Sequence, residues 1–465
     1  MIYSLSPNKK CYFYFVVSNK IRTFAAKSKY MEKELFRAII AENQEYIGRI
    51  PLVQRPLDLE EYGNYVFVGV RQAGKSYLLY QRIQQLLANG VDIENIVYVN
   101  FDDERLQGMS VTDFDLILQA YHSMYDSQPI FFFDEIQNVE GWANFARRLA
   151  NQKYHIYITG SNAKMLSRDI ETVLGGRYLD ISVFPYSFSE YLKAEGVLLS
   201  KNWQYGRKAN ELQRHFRTYF DWGGFPELVH FQEKRVWLNS LYNRIFFNDL
   251  VVRHKVKNED ALRLCVRRLA ESVKQPCSLN RLSNLIKATG TSCSPSTVME
   301  YVRYLQESCL LISIDNYVSK FVDKETIKKH YFVDNGLLHL FINNPNTSLL
   351  ENLCAITMYK KYGKGLYYYN KNIEVDFYVP DEQLAVQASY QMSDGETIER
   401  EVKALVALHG LYPLKRAMII TYDDEGEIVR DGLKIEIKPA WKWVVNGEWA
   451  IFHDEKVAYR HLVIW

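Results

Sequence analysis

The stretch Tyr65-Val66-Phe67-Val68-Gly69-Val70-Arg71-Gln72-Ala73-Gly74-Lys75-Ser76 joins an unbroken apolar run to the pattern G-x-x-x-x-G-K-S. A buried strand that ends in such a loop can turn successive backbone N–H groups toward one point. Glycine supplies the dihedral freedom and close approach that phosphate oxygens require there. The pattern assigns Gly69, Gln72, Ala73, Gly74, Lys75, Ser76 and Tyr77 to a phosphate cradle. Lys75 reaches the β- and γ-phosphates, and the Ser76 hydroxyl is a ligand for Mg²⁺. Behind the loop, Leu78, Leu79, Ile83, Leu86 and Leu87 recur at helical spacing. A helix therefore opens with its positive end toward the anion. The expected ligands are ATP and Mg²⁺.

A second apolar run, Ile130-Phe131-Phe132-Phe133, ends in Asp134-Glu135. This is the pattern of a strand buried on both faces of a parallel sheet, with its acids at the ligand edge. Asp134 is the expected holder of magnesium, and Glu135 the general base that polarises water. A third run, His155 to Ile158, leads into Thr159-Gly160-Ser161-Asn162. Ser161 and Asn162 stand where a side chain senses the γ-phosphate or caps the next helix, and the residue types leave both open. Arg177, after Leu174-Gly175-Gly176 and before the strand-like Tyr178 to Val183, has an arginine finger in a neighbouring subunit as one reading and a surface arginine as the other. Asp102-Asp103 follows Ile96-Val97-Tyr98-Val99 and reads first as a turn or cap.

Several strings occur together in order: Arg71-Gln72 inside the loop, Phe133-Asp134-Glu135-Ile136-Gln137 followed by Trp142, Ile158-Thr159-Gly160-Ser161, and Gly176-Arg177. They continue with Phe184-Pro185-Tyr186-Ser187-Phe188-Ser189-Glu190-Tyr191, Tyr219-Phe220-Asp221-Trp222-Gly223-Gly224-Phe225-Pro226-Glu227 and Tyr331-Phe332-Val333-Asp334-Asn335-Gly336-Leu337-Leu338. This succession resembles the bacterial and archaeal AAA+-type ATPases that carry a C-terminal domain of unknown function. It covers roughly residues 31 to 445. The resemblance implies ATP hydrolysis and leaves the cellular task open.

The expected fold class is α/β: a P-loop NTPase parallel sheet over 31–190, a helical lid with a winged-helix module over 191–330, and a restriction-endonuclease-like α/β domain over 331–445. Residues 1–30 precede the resemblance and read as an extension or a mis-assigned start, since an amphipathic helix begins near Glu34. Residues 446–465 read as a C-terminal extension with a possible final strand. With 465 residues and 48% hydrophobic content the chain can build two or three cores. A net charge of +2 sets up no global field for nucleic acid or membrane. Six cysteines without a C-x-x-C pair read as reduced thiols of a cytoplasmic protein. No apolar run is as long as a membrane span.

The winged-helix outline rests on helical patterns at Leu279 to Lys287 and Ser296 to Gln306, followed by the strand-like Leu310 to Ile314. The second helix offers a single arginine, Arg303, beside Glu300, which is poor equipment for DNA reading. Lys320, Lys324, Lys328 and Lys329 are available for a basic wing. In the third part, Glu351 and Asp376 match the acids of the nuclease core, but Gln387 and Ser389 stand where an acid and a lysine belong. Nuclease activity is therefore not expected. Two function classes follow: an ATP-hydrolysing switch acting on a protein client, and an ATP-dependent nucleic-acid-processing protein, the first favoured. Assembly into a homo-oligomer is compatible with either.

Overall fold

The computed structural model describes residues 31–60, 63–162, 172–199, 201–392 and 395–445, so the expectations for 1–30 and 446–465 lie outside the described residues. Five parallel strands, β1 (Tyr65–Gly69), β2 (Ile96–Asn100), β3 (Ile130–Asp134), β4 (His155–Gly160) and β5 (Leu179–Val183), form one sheet in the order β2-β3-β4-β1-β5. The apolar runs are continuous because both faces are covered. Alternate residues serve opposite cores. Val66, Val68, Phe131 and Phe133 pack with the helices Lys33–Tyr46, Phe114–His122 and Trp142–Asn151. Phe67, Phe132 and Tyr157 face the helix Lys75–Ala88 and the rest of the chain.

Register aligns the carboxyl ends. Asn100 pairs with Asp134, Phe133 with Ile158, and Val68 with Gly160. The loop after β1, the acids after Phe133 and the polar residues of Thr159 to Ser161 consequently leave the sheet along one edge, where ligands of such sheets bind.

Helices Phe188–Ala194, Gly206–Trp222, Lys234–Arg244, Glu259–Glu271, Leu279–Lys287 and Pro295–Glu307 follow, with the π-helix Ile245–Val252 continuing from Arg244. A second sheet then collects β6 (Cys277–Ser278), β7 (Leu311–Asn316), β8 (Ile327–Phe332), β9 (Tyr367–Asn370), β10 (Glu374–Val379), β11 (Leu384–Ala388), β12 (Arg416–Thr421), β13 (Gly426–Arg430) and β14 (Leu433–Pro439). Their order is β13-β14-β12-β11-β10-β9-β7-β8-β6. The sequence boundary at 330/331 falls inside β8. Parallel pairing of Asp315 with Tyr367 and Asn316 with Tyr368 unites strands on either side of it. The Asn316 amide locks the join, donating to the Asn370 carbonyl at 2.7 Å and accepting from its N–H at 3.1 Å.

The end of the helix Gly206–Trp222 is fastened to the exit of β8 at Asp334. Its buried carboxylate accepts the N–H of Gly224 and of Gly336, both at 2.8 Å. Burial pushes its pKa up to about 6, although those N–H groups oppose the shift. A Cβ on Gly336 would lie 2.1 Å from the Trp222 carbonyl oxygen, so this junction closes only around glycine. Gly336→Ala is expected to lower stability by about 2–3 kcal/mol through overpacking. Gly395→Ala, whose Cβ would meet nothing within 4 Å, should be near neutral. Paired urea melts measure the difference.

Candidate functional site

The loop between β1 and the helix Lys75–Ala88 turns through two left-handed residues, Gln72 (φ 62°) and Gly74 (φ 92°). Gly69 is required for a reason the motif does not state: a Cβ there would sit 2.0 Å from the Val183 carbonyl oxygen of β5. Lys75 is buried. Its ammonium donates to the Gly69 and Val70 carbonyls at 3.2 Å each and lies 3.4 Å from Glu135 Oε1. Ala73 is buried, Ser76 half-buried, and Tyr77 exposed on the first turn of the helix.

Asp134 at the end of β3 is fully buried. The Tyr98 hydroxyl donates to it at 2.7 Å, and the Thr159 hydroxyl donates as well. Burial, then the Glu135 charge, raise the Asp134 pKa, while hydrogen bonds from Ser76, Thr159 and Tyr98 restrain it. Glu135 takes the opposite course. Burial would raise it, but Lys75, Gln137 and Arg71 hold the carboxyl below its ordinary value. Its backbone is left-handed (φ 51°), with its N–H donated to Thr159 Oγ1 at 2.9 Å. Gln137 donates from one amide nitrogen to Glu135 Oε2 at 2.5 Å and to Ser161 Oγ at 3.4 Å.

The edge thus brings together Lys75, Ser76, Asp134, Glu135 and Ser161. Tyr98, Thr159 and Gln137 belong with them and were not singled out as site residues by sequence. All three stand inside strings quoted above, Tyr98 within the apolar run of β2, but nothing local marks them as site residues. Arg55 braces the loop from outside, donating to the Ala73 carbonyl at 3.1 Å and forking onto Glu190 at 2.7 and 3.2 Å. Asp103 is a cap, accepting from the Arg105 N–H at 2.9 Å. Arg177 is exposed and donates to the Gly175 carbonyl at 3.0 Å. It precedes the end of β5 that pairs with Tyr65, the opposite end of β1 from the phosphate loop. Those strands put it roughly 15 Å or more from that loop.

The second sheet holds a different cluster. Lys329, expected on an exposed basic wing, is instead fully buried. In β8 it shares a face with Tyr331, and period-2 alternation turns that face into the core. Its ammonium lies 3.2 Å from Glu351, 3.1 Å from Glu374 and 2.9 Å from Asp376. Burial alone would lower its pKa, but these carboxylates, Asp376 foremost, hold it well above the ordinary value. Gln387 bridges the Asp376 N–H at 2.7 Å and the Glu374 carbonyl at 3.1 Å, and Ser389 donates to the Gln391 carbonyl. A cation therefore stands among the acids, delivered from β8 rather than from position 389. Among the described residues no group of three or more His, Cys, Asp or Glu could hold a metal ion. Of the other wing lysines, Lys328 pairs with Asp315 at 3.1 Å and Lys324 lies over the Tyr367 ring.

The loop, the acidic strand end and the strand order describe an AAA-type P-loop ATPase-like domain, and a family model described as AAA domain matches residues 62–192. A second model, a domain of unknown function (DUF8612), matches residues 213–348. An uncharacterized protein of Methanocaldococcus jannaschii is 30% identical over 443 residues, 91% of this chain and 98% of that protein. An uncharacterized protein of Haemophilus influenzae is 29% identical over 391 residues, 81% of this chain and 93% of that one. The chain belongs to the family of the Methanocaldococcus protein. Among solved structures, a Walker-type ATPase of Pyrococcus abyssi aligns with a TM-score of 0.37 at 11% identity, covering 68% of this chain and 97% of that one.

The Lys329 cluster yields a pH signature. Burial, then Asp376, push the Glu351 pKa up to about 7. An acid whose folded pKa is raised favours folding fully below its unfolded value near 4.5, and that contribution is lost as pH rises through about 7. Glu351→Gln removes this loss. Its unfolding free energy relative to the parent should therefore rise between pH 5 and pH 8, by an amount on the order of 2 kcal/mol, and its melting temperature should rise with it. A pH-independent difference in parallel calorimetric scans would contradict the assignment.

Proposed function

We propose that this chain hydrolyses ATP to ADP and phosphate and uses the cycle to drive a conformational switch acting on an unidentified protein partner. The observation that carries this reading is the meeting of Lys75 and Glu135, 3.4 Å apart, at the carboxyl edge of the parallel sheet. Lys75 is satisfied by Glu135 and two loop carbonyls. Phosphate oxygens offer it a stronger partner, which frees Glu135. Because Glu135 is held ionised, it can accept a proton from the attacking water, with Gln137 and the Thr159 bond to its N–H fixing its direction. Ser76 and Asp134, adjoining oxygen donors, fit magnesium, which when bound neutralises charge on the phosphates. Ser161 lies where the terminal phosphate would be sensed, and Gly69 to Tyr77 form the cradle.

Arg177 is read as an arginine finger acting on a neighbouring copy, because its place at the far end of the sheet excludes its own phosphate loop. The C-terminal sheet is read as a recognition surface without nuclease activity, its acids being held by Lys329. A protein client is favoured over nucleic acid because the basic groups are neutralised internally: Arg303 pairs with Glu307, Lys328 with Asp315, and Lys329 is buried. Among the described residues, Cys265, Cys277, Cys293 and Cys354 are free thiols, in keeping with a reducing cytoplasm. Among the described residues no helix is long and apolar enough to cross a membrane.

Lys75→Ala is expected to lose ATP binding. Glu135→Gln should bind ATP and lose turnover by about 10²- to 10⁴-fold. Calorimetric binding together with phosphate release measures both, and equal turnover in Glu135→Gln and the parent would sink the assignment. In a second experiment, Arg177→Ala subunits are mixed with Lys75→Ala subunits. Each supplies what the other lacks, so hydrolysis should partly return at mixed interfaces. Full activity of Arg177→Ala alone removes the finger.

A further inference from the structure

Arg71 leaves the phosphate loop two residues after Gly69, yet its guanidinium does not stay with the loop. It forks onto Asp249, with Nε to Oδ2 and Nη2 to Oδ1 both at 3.0 Å. Asp249 is 2% exposed and lies on the π-helix Ile245–Val252, 178 residues away in sequence. Widened turns of this kind are frequent at functional positions. The same carboxylate is claimed a second time: Arg253 Nη2 donates to Oδ1 at 2.9 Å. Arg253 Nη1 is buried with no hydrogen-bond partner. Asp249 therefore accepts a full fork from Arg71 and a single bond from Arg253, and the second Arg253 terminal nitrogen is left over.

This arrangement has a second satisfied state. A terminal phosphate arriving in the loop offers the planar fork of Arg71 a more highly charged acceptor than a carboxylate does. Arg71 already feels the charge of Glu135 and Asp102 at the hydrolytic edge. If Arg71 turns to the phosphate, Asp249 is not orphaned, because Arg253 can advance its unused Nη1 and complete a fork of its own. Resting on the ATPase reading above, we infer that Arg71 exchanges Asp249 for the terminal phosphate of a bound nucleoside triphosphate. The π-helix is clamped to the phosphate loop without triphosphate and released with it, while Arg253 takes over Asp249. Both end states keep their charges paired, which is the condition for a two-state element biased by a ligand.

The test compares affinities for ADP and for a non-hydrolysable β,γ-methylene ATP analogue, both with Mg²⁺, by calorimetry on the full chain. Arg71→Gln should weaken the analogue about tenfold and leave ADP within about twofold, a size usual for couplings between sites. Asp249→Asn loosens the clamp and should tighten the analogue several-fold. Arg253→Met removes the replacement partner and should weaken it. Amide exchange over 245–253 should rise in the parent on adding the analogue but not ADP, and should be high in Arg71→Gln under all conditions. If Asp249→Asn fails to fold, Arg71→Gln and the exchange measurement decide. Variants that shift both nucleotides equally would make Arg71 a structural brace and overturn the exchange while leaving the ATPase reading intact. A parent chain that binds neither nucleotide overturns both.

Discussion

The buried carboxylate of Asp334 is the polar tie on which the junction between the helical segment and the second sheet depends: its two backbone hydrogen bonds fasten the end of the helix Gly206–Trp222 to the exit of β8. A carboxylate in this place is costly unless its lone pairs are filled. They are filled by glycine N–H groups that only glycine can bring so close. Tyr186, in the string after β5, accepts the Tyr219 hydroxyl and donates its own N–H to Gly224, drawing the first sheet onto the same point. The glycines of Trp222-Gly223-Gly224 and Asp334-Asn335-Gly336 are thus explained by packing at a junction, without recourse to a ligand.

Two buried lysines show how the same chemistry is put to different use. Lys75 has one carboxylate at 3.4 Å and otherwise only loop carbonyls, so a stronger anion can displace its partners. Lys329 has three carboxylates from two elements of the fold, one helix and β10, and no exposure, and Tyr331 donates to Glu351 beside it. Removing one member of such a cluster strands the others in a medium of low polarity, which typically costs about 3–5 kcal/mol. The first lysine is poised to exchange partners, and the second is fixed.

The sequence made legible what is local. Periodicity located the five parallel strands, and the loop and the acids after Phe133 fell at the expected edge because parallel register aligns strand ends. Long-range pairings were not legible. Asp249 carries no motif, and its pairing with Arg71 depends on how the helices after Trp222 fold back over the sheet. Lys329 was assigned to the surface with its neighbours because lysine is seldom buried without partners. The partners come from a helix 22 residues on and a strand 47 residues on, distances at which charge pattern alone says nothing. The boundary near 330 falls inside β8 for a related reason: β7 and β9, which pair across it, are separated in sequence by β8 and the helix Asn346–Tyr362, so their pairing leaves no local signal.

The continuity of the core limits how the molecule can respond to nucleotide. One buried hydrophobic cluster runs from Phe67 and Leu79 at the phosphate-loop strand and helix through Phe216, Phe246 and Tyr331 to Val445. Separating the halves along that seam would expose apolar surface at about 25 cal/mol per Å². Roughly 400 Å² would then consume about 10 kcal/mol, which is the stability of an entire domain. A hinge that opens the seam is therefore too costly to be cycled. Exchanges of polar partners at its margin leave the apolar contacts in place. Arg71, Asp249 and Arg253 lie at that margin, where the π-helix already departs from regular backbone geometry and a change of hydrogen-bond partner moves little else.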